Sequence, residues 1–269
     1  MLQSLQIRRD LAAEYPEAYS PLLGETLNSL GVFYGTLRDV PHSESAFLEA
    51  LSIRRKLAAK DPKIYSPDLA NTIENLGHLY REAQRASEAD KFYAELVDLD
   101  RNLAKDDPSK FDESLINSLR ALASLRISER RLDEGEFAYK DALSTCRSMH
   151  SSDEEAVRSL LTGVLVDIGS FYFDTDRSPM AISYYVEAVE IRRVLSAKDP
   201  GRYTSDLAEV LNYRGAAYGS SGMLKEAKAD FEESLALYRK LDGEKPGSYQ
   251  DAIQSNLDNL KQLQELTKP

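Results

Sequence analysis

Leu51-Ser-Ile53-Arg54-Arg55-Lys-Leu57-Ala-Ala-Lys-Asp61-Pro62-Lys-Ile-Tyr65-Ser66-Pro67-Asp68-Leu69-Ala70 sets the pattern for the whole chain. It opens as a helix end, breaks at Asp61-Pro62, passes Tyr65 and restarts through Ile73, Leu76, Gly77 and Tyr80. A second helix then carries Ala89 and Tyr93. Shifted by 46 residues, the pattern lands on itself. Ile53 becomes Ile7, Leu99 and Ile191, and Phe47 becomes Tyr93, Tyr139, Tyr185 and Phe231. Arg55 recurs as Arg9, Arg101, Arg147, Arg193 and Arg239. A fixed period of this length is the signature of a stacked array of one helical unit.

Working outward, the chain of 269 residues would suggest about two domains by length, but a repeat array is one quasi-linear unit. Charged residues make up 29% and the formal net charge is -11, which disfavours nucleic acid or an anionic membrane as partner. One cysteine, Cys146, excludes an intrachain disulfide and points to a reducing, cytoplasmic compartment. Arg8 and Arg9 come too early for a signal peptide, and no apolar run approaches the ~20 residues of a membrane span.

In order, residues 1–15 match the second helix of an incomplete repeat, either a capping helix or the remnant of a longer array. Full repeats are expected at 20–60, 66–105, 112–149, 152–197 and 204–241, with a lone capping helix at 248–266. That makes about twelve helices. Ser20-Pro21, Ser66-Pro67 and Thr204-Ser205 read as helix starts, since a hydroxyl caps an orphan N–H and proline suits the first helical position. Leu27, Leu30, Gly31 and Tyr34 form an apolar stripe at helical spacing. Ser152 with Glu155 has capping-box spacing, which predicts an earlier start and a longer helix there.

The helix pair resembles the tetratricopeptide repeat. Its small residues are Gly31, Gly77, Ala123, Gly169 and Gly215 in the first helix and Ser43, Ala89, Gly135, Ala181 and Ala227 in the second. Its apolar position holds Leu27, Ile73, Leu119, Leu165, Leu211 and Leu257. The usual period is ~34, and the longer unit with Ile-Arg-Arg and Asn-Leu-Gly is similar to the kinesin-light-chain type. The resemblance implies an all-α, right-handed α-solenoid of antiparallel helix pairs, with the first helices lining a concave face. Arg126 and Arg214 depart from the pattern, standing where Tyr and Leu are expected; their stems could snorkel or mark a polar functional spot.

Catalytic and metal-binding patterns are absent from the sequence, and no cofactor is implied. His42, His78 and His150 have no partner at metal spacing, and a Cys146–His150 pair has nothing to orient it. The inward positions implied by the resemblance are rich in amides: Asn28, Asn71, Asn75, Asn117 and Asn212. His78, Arg81 and Arg120 add positive charge, and Phe173 and Tyr213 add flat apolar surface. An amide both donates to and accepts from a peptide unit, so this set suits an extended peptide with an acidic residue near Arg120. The alternative is an ordinary solvated face. The carboxylate clamp of chaperone-binding relatives is not matched, because Val32 and Ala121 occupy two of its places. The expectation is a non-enzymatic peptide-binding scaffold. Its rivals are self-association through exposed Leu2 and Leu5, and a sensor segment of a larger, enzymatic signalling protein.

Overall fold

The protein, seen as a computed structural model, is described over residues 2–149 and 153–266. Those residues form twelve α-helices and no strand. They are α1 (Leu2–Glu14), α2 (Pro16–Thr36), α3 (Val40–Lys60), α4 (Pro62–Glu82), α5 (Ala86–Asp106), α6 (Pro108–Ser128) and α7 (Leu132–Ser148), followed by α8 (Glu154–Asp174), α9 (Ser178–Lys198), α10 (Pro200–Ser220), α11 (Leu224–Glu244) and α12 (Gln250–Leu266). From α2 to α11 both the first and the second helices begin at intervals of 46 residues. The helices group into two compact units, Met1–Ala138 and Tyr139–Pro269.

The helices α2, α4, α6 and α10 start four residues earlier than the sequence suggested, and α8 and α12 start two residues later. Asp61 closes α3 and caps α4, its carboxylate accepting from the Ile64 N–H at 3.3 Å, and Pro62 takes the first helical position. Asp199 and Pro200 do the same for α10. Pro21 and Pro67 therefore lie inside their helices. They are tolerated near the N-terminus because the carbonyls they leave without a donor, on Glu17 and Lys63, belong to exposed residues that water can satisfy. The expected long fourth-repeat helix is also corrected. α8 is capped by Asp153, which accepts from the Ala156 N–H at 3.0 Å, and has 21 residues like α2 and α4. Ser152 and His150 lie outside the described residues.

In the first unit, α2 packs on α3, α3 on α4, α4 on α5 and α5 on α6, with α2 also beside α4. Leu5 and Ala12 of α1 join Leu23, Leu27, Leu30, Ala46 and Ala50 in one core. Leu5 is thus buried rather than exposed, because α1 covers α2 as any second helix covers the first helix after it. Where α4 crosses α5, a Cβ on Gly77 would lie 2.6 Å from the Tyr93 ring, and Gly31 meets Phe47 at the same distance. The small residues of the repeat make room for these aromatics.

In the second unit, α8 packs on α9, α9 on α10, α10 on α11 and α11 on α12. Gly169 lies under Tyr185 and Gly215 under Phe231. α8 is long and apolar enough to cross a membrane by length and composition, a run that the sequence reading had missed; here its apolar residues Val164, Leu165, Ile168 and Phe171 are buried in the protein.

In four repeats the recurring arginine pairs with a glutamate forty positions later, on the next second helix. Arg9 reaches Glu49 at 2.9 Å, Arg55 reaches Glu95 at 2.6 Å, Arg147 reaches Glu187 at 2.7 Å and Arg193 reaches Glu233 at 2.6 Å. These pairs are half exposed, so each adds at most about 1 kcal/mol. The two departures are paired too. Arg126 donates to Asp90 at 2.9 Å, as the Tyr80 hydroxyl one repeat earlier donates to Glu44 at 2.7 Å. Arg214 holds Asp230 with two bonds of 2.7 Å, and Asp230 is buried. Arg214 is therefore an ion-paired core residue, since burial of its charge requires a partner.

Candidate functional site

The amide-rich set lies on the first helices of each unit. On α2 and α4 the asparagines hydrogen-bond to one another. Asn28 Nδ2 donates to Asn71 Oδ1 at 3.0 Å, and Asn75 Nδ2 donates to Asn28 Oδ1 at 3.3 Å. An asparagine side chain has two donors and two acceptor lone pairs, so the linked amides retain groups for a ligand. The linkage also fixes their orientation, which lowers the entropy lost on binding. Asn117, on α6, is exposed.

His78 is held from two sides. Its Nδ1 is hydrogen-bonded to the Tyr93 hydroxyl at 2.9 Å, and its Nε2 lies 3.7 Å from Glu74. Burial pushes the Tyr93 phenol up to about 12, so it keeps its proton. Arg81 and Arg120 supply the fixed positive charge of this face. Arg81 is exposed and Arg120 is half-buried, with interactions of its own.

In the second unit, Tyr213 stacks on Tyr185 with ring centroids 6.0 Å apart, and its hydroxyl donates to Glu209 at 2.7 Å. Burial first, then Glu209, drives its pKa upward. Asn212 is half-buried on the same helix. Phe173 is half-buried and lines a cavity of about 320 Å³ with Phe231, Leu263 and Leu266.

Sequence reasoning missed one residue of the first unit. Asp100, on α5, is 3% exposed and lines a cavity of about 290 Å³ between α4, α5 and α6. Asn71, Glu74, Ser114, Asn117 and Ser118 supply its other polar lining. Burial pushes the Asp100 carboxyl up to about 6, against a hydrogen bond with Ser118 that favours the charged form, and Glu74 adds repulsion. The signal was available: the positions one and two repeats earlier are Arg54 and Arg8. Cys146 is buried and in no disulfide. Among the described residues no group of His, Cys, Asp and Glu is placed to hold a metal ion.

This architecture is an all-α repeat solenoid of antiparallel helix pairs. Sequence profiles described as tetratricopeptide repeat match residues 23–62, 70–103 and 207–244. The chain is a tetratricopeptide-repeat protein of the long-repeat kind. No curated protein matches its sequence. Among solved structures it is similar to BtubC (BKLC) from P. vanneervenii, with 21% identity, a TM-score of 0.69, and 90% of this chain and 89% of that one covered. A putative kinesin light chain from Podospora anserina with nearly identical TPR-like repeats matches at 14% identity and TM-score 0.60, covering 83% of this chain and 97% of that one. The Pyrococcus horikoshii signal transduction ATPase with a tetratricopeptide repeat sensor matches at 14% identity and TM-score 0.64, over 95% of this chain and 39% of that one. At these identities the likeness is one of fold.

Proposed function

We propose that this chain is a cytoplasmic protein- or peptide-binding scaffold with no catalysis of its own, and that its first helices hold an extended peptide. The observation that carries the reading is the linked set Asn28, Asn71 and Asn75, oriented by mutual hydrogen bonds on two adjacent helices. Such amides bond peptide groups without selecting side chains. In the first unit, Arg81 and Arg120, with Asn117 on the same helix as Arg120, suit an acidic residue on that peptide. In the second, Asn212, Tyr213 and Phe173 suit an apolar side chain, since rigid aromatics anchor interfaces well. The test is a partner recovered by pull-down and titrated against wild type, Asn75→Ala, Arg120→Glu and Phe173→Ala. Arg120→Glu should weaken binding by roughly 2–5 kcal/mol if the charge pair is desolvated. Equal affinity of all four proteins, with binding abolished by Arg55→Glu on a second helix, would place the site elsewhere.

A second reading follows from the sensor named in the Pyrococcus horikoshii protein, of which this chain spans 39%: that the array is the sensor of a larger signalling protein. Sequencing the gene on either side of these residues separates the two.

A further inference from the structure

One column of the repeat changes character in a way that its neighbours explain. Arg8 donates to the Leu22 carbonyl at 3.0 Å and to the Thr26 hydroxyl. Arg54 donates to the Asp68 carbonyl and the Thr72 hydroxyl, both at 2.6 Å. Each guanidinium thus fills the space under the next first helix, on a carbonyl 14 residues on and a hydroxyl 18 residues on. At the third position the acceptors are still present. Ser114 and Ser118 stand at the same two offsets and line the cavity described above. The arginine is replaced by Asp100, so the space is open and a buried carboxyl faces it in place of a cation.

The lining fits an arginine in shape as well as charge. Leu96, Leu103 and Phe111 give an apolar wall for the methylene stem. Asp100 and Glu74 supply carboxylate oxygens for the planar fork of a guanidinium. No cation stands among the residues that line the cavity, and at about 290 Å³ it has far more room than a water needs. We propose that the cavity is a receptor for an arginine side chain of the bound peptide, which inserts where Arg54 sits one repeat earlier and pairs with Asp100. This rests on the peptide-binding reading and adds its specificity: a peptide with arginine at this cavity.

The probe is a blocked pentapeptide of alanines with a central arginine, beside its twin carrying citrulline, which keeps the shape and loses the charge. Both are titrated by NMR into wild type, Asp100→Asn and Asp100→Arg. Wild type should bind the arginine peptide at least tenfold more tightly than the citrulline peptide. Asp100→Asn should remove that preference. Asp100→Arg, which restores the pattern of the two preceding repeats, should remove it and raise the melting temperature. Equal binding of the two peptides to wild type, a preference that survives Asp100→Asn, or no binding of the arginine peptide would each overturn the receptor. Binding of both peptides equally, weakened by Asn75→Ala, would overturn it and leave the peptide-binding face standing. Failure of Asn75→Ala to affect either peptide would count against that face instead.

Discussion

Asp100 has a cost as well as a use. Its carboxyl is raised from 3.8 to about 6 by burial. The unfolded chain releases this proton near the ordinary value, whereas the folded chain keeps it until about pH 6. Between those values the folded state binds more protons, so stability falls as pH rises, by roughly 2–3 kcal/mol in all. Glu74 faces the same cavity and Ser118 bonds the carboxyl, and neither reverses the sign. Asp100→Asn should therefore match wild type near pH 4 in urea unfolding and exceed it by roughly that amount above pH 7. A gap that is the same at both pH values would assign the effect to something other than ionisation. Gly77 is a second residue with a sharp requirement. A methyl group there would meet the Tyr93 ring at 2.6 Å, so Gly77→Ala should cost roughly 1–3 kcal/mol through overpacking, despite alanine's better helix propensity. Stabilisation by this substitution would show that Tyr93 can move aside freely.

At the scale of elements, the tightest joint is the turn between the two helices of a repeat. Arg38, Gln84, Arg130, Asp176 and Gly222 occupy it with φ of 58°, 58°, 63°, 57° and 75°. The next N–H bonds back to a carbonyl of the last turn, as from Arg85 to Tyr80 at 2.8 Å and from Met223 to Tyr218 at 2.9 Å. This is the left-handed helix end that usually takes glycine. Only one of the five is glycine, so four turns carry strain. Gln84→Gly should stabilise by up to about 1 kcal/mol and Gly222→Ala should cost about as much. Thermal melts of the two variants read the signs directly, and a melting point lowered by Gln84→Gly would contradict this account.

Over the whole molecule, the period and the number of helices were legible because apolar spacing and the glycine–aromatic crossings depend on residue type alone. Helix starts were less so. Ser66-Pro67 and Asp61-Pro62 carry the same capping chemistry, and only the backbone shows that the second is the start. The candidate site was legible as a set of positions, from the resemblance. That Asn28, Asn71 and Asn75 bond each other, that His78 is held by Tyr93, and that Arg214 finds Asp230 depend on distances between helices that no single segment encodes. Asp100 stood in plain view as a reversed charge in a repeating column, but its cavity did not. The pairing of these arginines with a glutamate of the next repeat also has a genetic meaning. A cut of 46 codons removes one unit and gives the arginines at the seam equivalent partners. Without Pro16–Asp61, Tyr15 would precede Pro62 as it now precedes Pro16, Arg8 would meet Thr72 and Arg9 would meet Glu95. Such a shortened gene should yield a chain that still melts cooperatively, as circular dichroism would show, and a non-cooperative melt would mean that the repeats are less interchangeable than their contacts. By the same rule, a coding sequence shortened or lengthened by whole units through slippage or recombination should still encode a folded product.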